Sequence, residues 1–332
     1  MCIRDSVTAT DKLAQILHYL ALECTTQQSI CGTCSSKSLT LLAQEVGRMR
    51  VMEWWCGTCR SITRLNYTAP TMDDKFTESL GVGRFTGLRF LSLPLAPADA
   101  VYLCNRLPGG RAEGNDGLPY ELIQEAPEEA QLLLGEAYNE ILAGAELPEE
   151  WGIQVQQYLF KREPEEVMEN VRPVRLMTTS YKGLTSTIDS RLKKEMEHLG
   201  MLELPQFAFR HGFQAQEPIV QLQHAIEDAR QSKGKIYIAL LDWYSAFDTV
   251  DLGRLYLLFE RLGMHPDDVN LLRRAHRGAW VTVRTPFGDT ARIQVTRGTA
   301  QGCSLSPSLF CFFLNLCLRH IATSGVGFHH IC

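Results

Sequence analysis

The stretch IYIALLDWYSAFDTVD, residues 236–251, begins as an apolar run of strand-forming residues. It stops on a carboxylate, Asp242, and then places Asp248 and Asp251 close behind. A charge that ends a buried strand is costly unless something compensates it. A divalent cation could do so, because Mg2+ is bound by one or two carboxylates together with the phosphates of a substrate. In a two-metal site, ions about 3.5–4 Å apart clamp the attacking and leaving oxygens of a phosphoryl transfer. The bland alternative is an Asp that caps the following turn or helix, and on the strand alone that alternative is favoured. Downstream lies a second polar segment, RGTAQGCSLSPSLF, residues 297–310, which carries Gln301 and Gly302 into an apolar helix.

Two copies of Cys-Gly-Thr-Cys form a separate constellation: Cys31 with Cys34, and Cys56 with Cys59. The spacing, C-x2-C-x21-C-x2-C, lies just outside the usual range for structural zinc. Four thiolates around Zn2+ would let a small segment fold without much core. A redox dithiol and unligated cysteines are the alternatives, the first weakened by the lack of a thioredoxin-like context. Eleven cysteines in a chain that starts without an apolar leader point away from a disulfide framework. Cys303, Cys311 and Cys317 read as core thiols of the last helix.

The chain has 332 residues, 45% hydrophobic and 21% charged, the composition of an ordinary globular protein. Its most apolar stretch, Leu305 to Leu318, is too short to span a bilayer and contains Pro307 and Asn315. An intracellular protein, nuclear or cytoplasmic, is expected, with no membrane partner. A net charge of −5 speaks weakly against nucleic acid, yet the segment 113–169 holds fifteen acidic and two basic residues, so the rest carries +8. A local basic groove remains open, and local field steers a polyanion more than total charge does.

These residues need elements to position them. The periodicity predicts helices at 11–23, 96–107, 128–144, 180–200, 217–234, 251–263 and 265–279. A strand is expected over 153–160 and another ending at Asp242. Residues 280–295 read as a hairpin, with Val281 and Val283 on one arm and Ile293 and Val295 on the other. Asp267 and Asp268 stand in the first turn of a helix, where they complement its dipole. Strands and helices alternate without a βαβ rhythm, which predicts an α+β fold.

Residues 236–251 resemble motif A of reverse transcriptases, F-x-D-x-x-x-A-F-D-x-V, and residues 297–310 resemble their motif B, R-G-x-x-Q-G-x-x-L-S-P-x-L-F. Upstream, LPGGRAEGNDGLPYELI and the segment from Leu147 to Leu192 resemble the entry and fingers of the non-LTR retrotransposon enzymes. There RPVRL stands in place of R-P-I-S-L. The segment QFAFRHGFQAQEPIVQL resembles the next region, with Phe213, Gln214 and Ala215 where the family has R-S-T. The resemblance covers about Pro97 to the C-terminus.

It implies right-hand polymerase fingers and a partial palm over 97–332, with an antiparallel palm sheet and helices. Ahead of these the cysteine spacing suggests a Cys-rich module over 1–65 that could bind zinc, and a linker is expected over 66–96. The resemblance further implies that Asp242 binds catalytic Mg2+ and that Phe247 is a steric gate against a 2′-hydroxyl. Gln301 and Gly302 would meet the incoming nucleotide, and Lys161 and Arg172 would contact its triphosphate. The alternatives are core packing for Phe247, a loop hydrogen bond for Gln301 and solvated charge for Lys161 and Arg172. Asp248 reads as a cap of the helix after motif A. The implied partners are an RNA template, a DNA primer and dNTPs.

Motif C, an aromatic-x-Asp-Asp turn, does not follow Gln301 in these residues. The expectation is therefore a fragment of an RNA-directed DNA polymerase, inactive alone, with Phe310, Phe312 and Phe313 partly uncovered. A noncatalytic interaction protein on a decayed polymerase fold and a group II intron-type maturase are the competing readings.

Overall fold

The computed structural model describes the backbone of residues 39–46, 49–56 and 62–64, and the chain from residue 83 to 323 except 162, 164–169, 205, 237 and 239–244. The N-terminal strands β1 (Leu39–Val46), β2 (Met49–Cys56) and β3 (Ile62–Arg64) pair antiparallel in the order β1-β2-β3. Cys56 closes β2. The other cysteines of the twin motif and the expected helix at 11–23 lie outside the described residues, and so does Asp242.

From residue 83 the chain runs as a strap without helix or strand as far as Leu95. Helices α1 (Pro97–Asn105), α2 (Tyr120–Gln124) and α3 (Glu128–Ala143) follow. A 3-10 turn at Glu149–Gly152 leads into β4 (Ile153–Phe160), which pairs antiparallel with β5 (Val171–Leu176). Next come α4 (Thr179–His198), α5 (Gln216–Gln231), the short α6 (Ala246–Thr249), α7 (Leu252–Arg261) and α8 (Pro266–His276). Strands β6 (Trp280–Thr285), β7 (Gly288–Asp289) and β8 (Ile293–Gln294) precede the last helix, α9 (Ser306–Thr323).

Helix α4 is the spine. Leu184, Ile188, Leu192 and Met196 recur every four residues, so they form one stripe, and all are buried. Thr178 caps the helix by accepting from the Tyr181 N–H. Against the stripe pack Leu255, Leu258, Phe259 and Leu262 of α7, Val269 and Leu272 of α8, and Leu309, Phe312 and Phe313 of α9. Phe312 and Phe313 are thus inside the core, contrary to the expectation of an uncovered face; only Phe310 is half-buried. The ring of Phe312 lies 4.9 Å from that of Phe259, which explains the burial. Two buried polar residues of α9 are paired as well. Ser308 donates to Asp189, and Asn315 donates to Met201 O at 2.8 Å while accepting from Glu203 N at 2.7 Å.

The sheet runs β5-β4-β6-β7, with β8 also on β6. It departs from the antiparallel sheet expected, because β4 and β6 pair parallel from Ile153↔Trp280 to Gln156↔Val283. Helices α4 to α8 separate these two strands in the chain, and a crossover of that length permits parallel pairing. The hairpin forms in the expected place, with its second arm split between β7 and β8.

Asp268 does more than offset a helix dipole. It is fully buried and accepts from Phe90 N at 2.8 Å, Ser92 N at 2.9 Å and Ser92 Oγ at 2.6 Å. The strap is thereby bound to α8, with Leu91 driven into the core between these bonds. Asp268→Ala would leave three donors without their acceptor, at a cost of about 3 kcal/mol or more. Asp267, about half exposed, should change stability by less than about 0.5 kcal/mol on the same substitution. Urea midpoints of the two variants check this.

Burial pushes the Cys311 thiol up to about 12, and Cys104 and Cys303 are pushed up for the same reason. Since the thiolate is the reactive form, burial keeps all three thiols protonated and unreactive at neutral pH. Site-resolved alkylation at pH 8 should leave all three unmodified in the folded protein and modify them once denaturant is added.

Candidate functional site

Ser245 enters α6 in the left-handed conformation, φ 47°, and its carbonyl accepts from Asp248 N at 2.9 Å. This tight turn presents Phe247, whose ring lies 5.4 Å from that of Phe310 on α9. After it, Asp251 caps α7 by accepting from Arg254 N at 3.0 Å. The cap that the sequence suggested for Asp248 therefore belongs to Asp251, and Asp248 faces elsewhere.

The loop 297–302 lies along the same turn. Thr299 N donates to Phe247 O at 2.8 Å, Gly298 N to Val250 O at 3.2 Å, and Arg297 Nη2 to Thr249 O at 3.3 Å. Gly298 has φ 81°, and a Cβ there would stand 2.7 Å from Asp248 Cα. On its other side the loop meets β5 on the edge away from β4, where Arg175 N donates to Gln301 O at 2.7 Å. Gly302, at φ 125°, lies so close that a Cβ would stand 2.4 Å from Arg175 O. The close approach that glycine permits here is to the protein's own edge strand. Two segments some fifty residues apart, which carry Phe247 and Gln301, are thus joined through their backbones.

Arg175 ties the parts together electrostatically. Its guanidinium lies 3.7 Å from Asp248 Oδ1, and its Nε donates to Gln156 Oε1 at 3.4 Å. Burial pushes it down from the ordinary arginine value, while the Asp248 charge pulls the other way. It remains a guanidinium cation. Arg175 was not singled out in the sequence; the signal was the arginine in RPVRL where the resemblance has serine.

Lys161 and Arg172 sit at the far end of the β4–β5 pair, both exposed. Lys161 N donates to Asn170 O at 2.8 Å, and Arg172 pairs in register with Leu159. Alternation along a strand puts Arg172 and Arg175 on opposite faces of β5, about 10 Å apart along it. Lys161 and Arg172 are therefore near each other and remote from the Asp248 pair. Among the described residues no group of three or more His, Cys, Asp or Glu is placed to hold a metal ion. Asp248 is paired with Arg175 and Asp251 is a helix cap, so neither is offered as a metal ligand. The metal expectation rests on Asp242.

Residues 161–332 match the family described as reverse transcriptase (RNA-dependent DNA polymerase). The chain is 26% identical over 242 residues to the "Transposon TX1 uncharacterized 149 kDa protein" of Xenopus laevis, covering 71% of this chain and 18% of that protein. It is 26% identical over 221 residues to the "Probable RNA-directed DNA polymerase from transposon X-element" of Drosophila melanogaster, covering 66% and 24%. It is 29% identical over 227 residues to the corresponding protein from transposon BS of the same fly, covering 67% and 25%. The chain thus spans a quarter or less of the length of these curated relatives.

The seam between loop and strand gives a direct test. Gly302→Ala must both adopt an unfavourable φ and displace Arg175 O, a cost of about 3 kcal/mol. Gly110, at φ 67° with open space around it, should lose only about 1 kcal/mol on the same change. Chemical denaturation of the two variants measures the difference, and it is this difference that reports the contact with β5.

Proposed function

The chain belongs to the reverse transcriptase family, and on that premise we propose that residues 97–332 are the fingers and part of the palm of a non-LTR retrotransposon RNA-directed DNA polymerase. Its substrates are a primer 3′-hydroxyl, an RNA template and dNTPs. The observation that supports the reading is the backbone seam that joins the segment of Phe247 to the loop of Gln301, Thr299 N donating to Phe247 O and Arg175 N to Gln301 O. Two segments that resemble motifs A and B only by sequence are adjacent in space, as a shared nucleotide site requires.

In this reading each residue has a physical task. Asp242 would hold Mg2+, which would supply positive charge to offset the negative charge of the transferring phosphoryl group. Lys161 and Arg172, exposed at the end of the β4–β5 pair, offset the charge of the triphosphate. Phe247 is backed by the Phe310 ring, so it cannot swing aside for a 2′-hydroxyl. Gln301 meets the nucleotide from a loop whose backbone is held on two sides. Arg175 positions Asp248, and through it the turn that carries Phe247. Further metal-binding carboxylates of motif C are not among these 332 residues, so this chain alone binds nucleotide without extending a primer.

The test is equilibrium binding of dTTP and UTP with and without Mg2+, beside primer extension on an RNA template. Wild-type chain should bind dTTP in a Mg2+-dependent way. Asp242→Asn should remove that dependence and weaken binding about tenfold, equivalent to about 1.4 kcal/mol. Phe247→Val should reduce the preference for dTTP over UTP by a similar factor. Nucleotide binding that ignores both Mg2+ and Asp242→Asn would overturn the site; robust extension would overturn the claim of an incomplete enzyme.

A further inference from the structure

Lys182 stands where the fold gives a lysine little support. It is the fourth residue of α4, at the positive end of the helix dipole, and only 8% of it is exposed. Burial pushes its ammonium down from the ordinary lysine value; the Asp116 charge opposes that and the Arg111 charge adds to it. A leucine or methionine would fill the position without those costs, as Leu184, Ile188 and Leu192 do further along the same helix. A residue that breaks a local rule in this way marks a place where its polar end has a task.

That end reaches the segment 108–118, which resembles the entry region of the family. Lys182 Nζ donates to Ala112 O at 3.2 Å and lies 5.2 Å from the centroid of the buried Tyr120 ring. Residues 108–118 contain no helix or strand, and Gly114 is the one buried residue among them. So exposed a segment takes its place from a few polar contacts rather than from packing. At its two ends these are Glu121, which accepts from Gly110 N, and Thr179, whose Oγ1 donates to Leu118 O at 2.6 Å. Lys182 grips the stretch between them.

The segment so held bears on β5. Gly114 lies so close to the end of that strand that a Cβ there would stand 2.3 Å from Met177 C and 2.4 Å from Thr178 N. Met177 directly follows β5 and is two residues past Arg175, whose N–H donates to Gln301 O. A shift of residues 112–114 is therefore passed by main-chain contact to the strand on which loop 297–302 rests.

We propose that Lys182 is a positioning residue for the nucleotide site: its ammonium seats residues 108–118 on the end of β5 and so sets the strand that holds Gln301. The proposal rests on the reading that Gln301 meets a nucleotide. Lys182→Met removes the charge and keeps the side-chain length, and the exposed Ala112 regains water at its carbonyl. The urea midpoint of this variant should therefore be at or above that of wild type. Amide exchange at Arg175, read residue by residue by NMR, should nevertheless become about tenfold faster, and dTTP should bind about fivefold more weakly. Lys182→Arg, which keeps a charge and a donor, should restore both.

A lysine that served stability alone would show the opposite order, a lower midpoint with losses in proportion to it. That result, or failure of Lys182→Met to fold, would overturn the proposal. Unchanged exchange at Arg175 in Lys182→Met would overturn it too, whatever the dTTP result. Exchange left fast in Lys182→Arg would assign the effect to side-chain volume and overturn the role of the ammonium. Should wild-type chain bind no dTTP, the nucleotide reading fails by itself, and the exchange rates still judge whether Lys182 sets β5.

Discussion

The site depends on one loop being held between two backbones. Residues 297–302 bond to the turn of α6 on one side and to the edge of β5 on the other. Neither Gly298 nor Gly302 leaves room for a side chain. Such contacts hold the loop tightly, because a backbone cannot change rotamer as a side chain can. The side chains at 247 and 301 inherit their relative position from main-chain geometry, which is the more rigid kind of support for a functional constellation.

The Arg175–Asp248 pair has a different character. At 3.7 Å, with Asp248 about 40% exposed, it adds little stability by itself. Its importance is orientation. Asp248 lies in the four-residue helix between the expected metal-binding segment and the cap of α7, and Arg175 lies in the strand that grips Gln301. A cation on β5 and an anion on α6 thus bracket the loop electrostatically as well as through hydrogen bonds. Replacing Arg175 by the serine of the resemblance would keep the backbone bond to Gln301 and remove the charge.

Much of this was legible in the sequence, and the reasons are local. Helices α3, α4, α7 and α8 and strand β4 follow from periodicities confined to each segment. That residues 236–251 and 297–310 belong together was implied by their resemblance to motifs A and B. What escaped depended on partners distant in the chain. Strand β5 carries a proline and two arginines and shows no clean alternation; it is a strand because β4 supplies its ladder. Asp248 and Asp251 are separated only by the bond that Arg254 N makes to Asp251 and by the pairing of Asp248 with Arg175. Phe312 and Phe313 were expected to stay partly uncovered in an incomplete palm, but they lie in the core cluster with residues of α4, α7 and α8.

Asp268 has one more consequence, for the order of events during synthesis. Its acceptors serve residues 90 and 92, nearly two hundred positions earlier in the chain. The strap leaves the ribosome long before α8 exists, so its backbone donors must stay in water until that helix arrives. Closure of so long a loop is entropically slow compared with the local coiling of the helices it spans. The strap is therefore among the last of these elements to settle, and the nascent polypeptide carries Phe85 and Leu91 uncovered until α8 emerges.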